Sequence, residues 1–149
     1  MSYDSNRNML AFMSPSGTAP LTAITLSSAS ASNGEFIVHK QCDVHVLQFV
    51  VTTAVVGTTT APTVVFSKRP TAGSSSGATV IGTLTIPTGT AAGTVIYKRV
   101  SPVNMVVGNS LEIAWTIAVG SPAGVGQASV ICLEDPEVEA ANSKMVASA

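Results

Sequence analysis

Short β-branched and apolar runs recur along this chain, and Gly, Pro, Asn or Ser cuts off each one. The runs predict eight strands: Leu21–Leu26, Phe36–Lys40, Asp43–Thr53, Pro62–Ser67, Thr79–Ile86, Thr94–Arg99, Ser110–Ala118 and Gln127–Leu133. Two show their faces. In Ser110–Ala118, Leu111, Ile113, Trp115 and Ile117 share one side, and Glu112, Ala114, Thr116 and Ala118 the other. A slip of one residue would bury Glu112. In Thr79–Ile86, Val80, Gly82, Leu84 and Ile86 face the core while Thr83 and Thr85 face outward. Many short strands with turn residues between them favour a sandwich or barrel. The expectation is an all-β, single-domain antiparallel β-sandwich.

Both ends depart from that pattern. Residues 1–20 carry Met9, Leu10, Phe12 and Met13 ahead of Pro15 and Pro20, and are predicted to be an arm, neither strand nor helix. Such an apolar arm either folds back over its own core or docks on a neighbour. The sandwich is expected over residues 21–133, with a tail at 134–149. Glu134, Asp135, Glu137 and Glu139 open that tail, and Pro136 to Ala147 is its helix-friendly part.

Composition changes the picture more than any motif. Charged residues are 10% of the 149, against roughly 25% in an average soluble protein. Net charge is −1, so little repulsion separates copies. A surface of Thr, Ser and small apolar groups suits close contact with other protein. The alternative is a monomer kept soluble by its hydroxyls.

Several classes are set aside. No run approaches the ~20 apolar residues of a spanning helix, and 5% aromatics leave no girdles for a membrane barrel. The first residues hold no signal-peptide core, so synthesis and assembly in the cytoplasm are expected. Cys42 and Cys132 cannot define a disulfide scaffold. Nucleic acid is not an expected partner, because Lys68-Arg69 and Lys98-Arg99 are the only basic pairs.

Candidate chemistry is thin. His39, Cys42 and His45 suggest zinc by residue type, but on a straight strand Cys42 projects opposite to both histidines. There is no Gly-x-Ser-x-Gly elbow, and the body holds only Glu35, Asp43 and Glu112 as acids. Gly120–Gln127 is Gly-rich but lacks the lysine and helix of a phosphate loop. Neither an enzyme nor a bound metal or cofactor is expected. Tyr3, Tyr97 and Trp115 are widely spaced, Trp115 being best placed in the core, which weakens the alternative of a carbohydrate-binding β-sandwich module.

Certain turns and strand edges are more telling: GTTTAP at 57–62, KRPTAG at 68–73, IGTLTIP at 81–87, GTAAGTVIY at 89–97, GNSLEI at 108–113 and LEDP at 133–136. Together, over roughly residues 20 to 136, they resemble capsid cement or decoration proteins of tailed bacteriophages, which brace the major capsid subunits from outside the head. Tail and fibre components of virions share this style. The resemblance implies a jelly roll of about eight strands, a place on the virion's capsid exterior, and the major capsid protein as partner. It also implies self-association, as a dimer by preference or a trimer. On that footing Met9, Leu10, Phe12 and Met13 supply an apolar anchor, while Lys68, Arg69, Lys98 and Arg99 meet acidic capsid loops. An open strand edge is the alternative contact.

Overall fold

A computed structural model describes residues 7–11, 24–26, 34–38, 41–74, 76–116 and 120–134. These residues form nine strands and, among them, no helix: β1 (Arg7–Ala11), β2 (Ile24–Thr25), β3 (Gly34–Ile37), β4 (Cys42–Thr58), β5 (Thr63–Arg69), β6 (Thr79–Thr85), β7 (Val95–Met105), β8 (Ser110–Thr116) and β9 (Gly120–Glu134). One sheet runs β1-β9-β4-β7, with β2 also paired to β9; the other runs β3-β8-β5-β6. Every pairing is antiparallel.

The connectivity has a simple logic. β1 and β2 lie against β9, β3 against β8, β4 against β7 and β5 against β6, so the pairs nest inside one another. The chain is thus a long two-stranded ribbon rolled into two layers, with its tip at the turn between β5 and β6. Counting β1 and β2 as one interrupted edge strand gives eight strands in jelly-roll order. The all-β sandwich expected from the pattern is the fold observed.

β4 spans the first sheet and carries its main irregularity. Cys42 and Val44 are buried, then Leu47, Phe49 and Val51, so the buried parity changes from even to odd. The change occurs at a bulge. Val44 faces Cys132 and Val46 faces Ile131, leaving His45 as an extra residue against β9. On the other flank Val44 faces Val103 and Val46 faces Arg99, so residues 100–102 of β7 bow out at the same level. A bulge lets a strand keep its apolar residues inward despite a phase error in the sequence.

The core between the layers is built on Leu47, Phe49, Val64, Phe66, Ile86, Met105, Leu111 and Val130. Gly126 is required where Phe49 crosses β9: a Cβ there would lie 2.3 Å from the ring and 2.6 Å from the Val50 carbonyl oxygen. Half-buried Trp115 packs against the core edge.

Element bounds differ from the sequence expectation in instructive places. Arg7–Ala11, expected as part of an arm without strand, pairs with Ser129–Leu133 as β1. β7 continues through Pro102 because it ends its sheet, where a missing N–H breaks no ladder. β9 starts at Gly120 and absorbs the Gly-rich stretch, which lies along the far half of β4. Val80, expected inward, is 60% exposed. Phe66 faces Gly82 and Ser67 faces Val80, so Ile81 is an extra residue, and it packs against the core in place of Val80. The helix-friendly segment at 136–147 lies outside the described residues.

Candidate interaction surface

The first basic pair, Lys68-Arg69, ends β5 at the tip of the ribbon. Lys68 continues the inward series of Val64 and Phe66, and its Nζ donates to the Asn104 carbonyl of β7 at 2.7 Å. The Asn104 amide in turn donates to Asp43 Oδ1 at 3.0 Å. Lys68 therefore ties the two sheets together.

Arg69 lies on the outer face with Glu112. Period two places Glu112 there as expected, yet it is only 6% exposed. Glu35 stands directly opposite it on β3. Two carboxylates facing each other across a ladder repel, and Arg69 offsets this by donating from Nε to Glu112 Oε2 at 2.5 Å. That hydrogen bond to Glu112 raises the guanidinium pKa above its ordinary value. Arg69 Nη1 also donates to the Ser74 carbonyl. Glu35 Oε1 accepts from Ser110 Oγ at 2.5 Å and from the Gly73 N–H at 2.9 Å. Asn109 Nδ2 holds the Pro70 carbonyl at 2.8 Å. The carboxylates thus fasten the 70–74 loop over the sheet, and the geometry is that of a fastening.

The second pair, Lys98-Arg99, lies on β7 at the edge of the other sheet, and both residues are exposed. Neither makes a hydrogen bond or ion pair with any described residue. Arg99 shares with His45 a depression of about 310 Å³ whose other walls are Val46, Val100, Ile131 and Leu133. The bulge creates it, by setting His45 and Val46 side by side where β7 bows away. Alongside, Val95 and Tyr97 are 49% and 65% exposed.

Register brings two of the expected contact residues into line. Met9 pairs with Ile131, Ile131 with Val46, and Val46 with Arg99, forming one row across β1, β9, β4 and β7. Leu10 pairs with Val130 in the next row. Phe12 and Met13 lie outside the described residues. Lys68 and Arg69 are not brought into this row; Lys68 bonds across to β7 and Arg69 holds the 70–74 loop, both within the domain. Sequence reasoning missed His45 as a wall of this depression, because nothing in the local sequence announces the bulge.

Cys42 and Cys132 are buried side chains, and His39 lies outside the described residues. Among the described residues no three His, Cys, Asp or Glu gather as metal ligands would. Tyr97 is the one exposed aromatic among them.

No family model matches the chain, and no curated protein matches it. Among solved structures it is similar to a chain in the structure of infectious bursal disease virus Gx strain, at 9% identity and a TM-score of 0.29. The match covers 90% of this chain and spans 30% of that one. A likeness at that TM-score carries no argument about the role of this chain.

Proposed function

We propose that this chain is a structural protein of a virus particle that binds the outside of a phage head and braces neighbouring major capsid subunits. The observation that carries this is the nested jelly-roll connectivity, an architecture shared by viral capsid and lectin domains. The sparse charge of the sequence supports contact-making over catalysis. The lectin alternative is weaker, because a sugar platform needs clustered aromatics and Tyr97 is exposed alone among the described residues.

In this reading the sheet β1-β9-β4-β7 meets the shell through its outer face and its exposed β7 edge. Lys98 and Arg99 approach acidic loops, and the Met9–Leu10 segment contributes the apolar part, with Phe12 and Met13 beyond it. Each contact is modest, since exposed ion pairs contribute about 0.2–1 kcal/mol. Several copies linked together convert modest contacts into tight attachment through effective concentration. Nothing in such a brace has to stabilise a transition state.

Co-sedimentation with purified tailed-phage heads tests this. Saturable binding is expected, weakened roughly tenfold by the double substitution Lys98→Glu and Arg99→Glu. Absence of binding to any head, with retention on an insoluble polysaccharide, rejects the brace in favour of a lectin.

A further inference from the structure

The depression beside β7 presents two cation-forming side chains, His45 and Arg99, among the apolar walls Val46, Val100, Ile131 and Leu133. Lys98, next along β7, pairs with buried Leu47 and so points to the other face, leaving Arg99 and His45 as the cations of the depression. Its complement is an extended peptide with closely spaced carboxylates. The chain contains one such stretch, Glu134-Asp135-Pro136-Glu137-Val138-Glu139, which holds four of its eight acids.

We propose that Glu137 and Glu139 of a second copy occupy the His45–Arg99 depression, so that two copies exchange acidic segments about a twofold axis. Glu134 ends β9, and three to five further residues can reach at most roughly 10–17 Å beyond it at ~3.3 Å per residue. Residues two apart on an extended segment share a side, so both carboxylates can address the same basic surface. Leu133 walls the depression of its own copy, and Pro136 lacks the N–H needed to prolong the β9 ladder. Filling its own depression would require the chain to reverse within the acidic run; exchange requires no reversal. When each copy fills the other's depression the exchange is reciprocal, and the pair closes at two. This inference does not rest on shell binding; where it holds, Arg99 is occupied by the partner's segment and Lys98 is the cation of that pair left for the shell.

A charge swap in the full chain tests it, with mass read by light scattering and folding checked by circular dichroism. The unaltered protein is expected to be a dimer that dissociates as salt approaches ~1 M, where screening acts within about 3 Å. Arg99→Glu alone, and Glu137→Lys with Glu139→Lys, are each expected to raise the dimer dissociation constant at least tenfold, as like charges then meet. Mixed in equal amounts, the two variants are expected to form a heterodimer, because each depression now finds an opposite charge on the other chain. A monomeric parent protein, variants that remain dimers, or a mixture that stays monomeric overturns the proposal. The last result is what docking within a single copy produces. Binding to phage heads is measured separately, so its failure leaves this outcome readable.

Discussion

Lys68-Arg69 and Lys98-Arg99 are the same dipeptide in two settings. The first ends a strand flanked by β8 and β6, where the ribbon turns and a loop folds over the sheet. Both of its cations find acceptors there, Lys68 in the Asn104 carbonyl and Arg69 in Glu112 and Ser74. The second lies on an edge strand whose outer flank has no neighbouring strand among the described residues. The comparison teaches that a basic pair becomes part of the framework where the chain encloses it, and stays available where the sheet ends. Exposed charges at an edge also discourage indiscriminate strand pairing.

The strongest way to break this contrast is to delete His45. Both settings hang from the register of β4, since Val46 pairs with Arg99 while Asp43 pairs with Asn104, the residue Lys68 holds. Deletion would turn Cys42 and Val44 away from the core, and no cooperative unfolding transition is expected in a denaturant titration. His45→Ala keeps the extra residue and should change stability by less than about 0.5 kcal/mol. Next comes Arg69→Met, which takes the guanidinium away from buried Glu112 where it faces Glu35. A clear fall in the denaturation midpoint is expected, larger than that for Lys68→Met, which loses one hydrogen bond worth about 1 kcal/mol. The smallest effect is expected for Lys98→Met with Arg99→Met, within about 0.5 kcal/mol of the parent when both are titrated in ~1 M salt, where copies are held apart. Should that double variant unfold as readily as Arg69→Met, the contrast collapses.

Much of the framework was legible because period two leaves a direct trace. Leu111 and Ile113 inward with Glu112 outward is how β8 lies. The count of about eight strands came from turn residues between apolar runs. What stayed hidden has physical causes. The His45 bulge sits in an apolar run with no Gly or Pro to mark it, so the parity change is visible only against β9 and β7. Pro102 reads as a terminator, and its edge position, which makes it harmless, is a property of the whole sheet. Glu112 reads as solvent-facing, and its cover comes from a loop about forty residues away in sequence, tied down by Arg69. Local sequence likewise could not separate the two Lys-Arg pairs, because what distinguishes them is the partners the fold supplies.

The nesting of the ribbon also sets where the polypeptide can be re-cut. Arg7 and Leu133 are cross-strand partners, so the start of β1 and the finish of β9 lie about 5 Å apart between Cα atoms. A few glycines and serines joining residue 134 to residue 7 would turn the backbone into a ring. Opening that ring between exposed Thr59 and Thr60 would give a circular permutant whose layers and hydrophobic interior are unchanged.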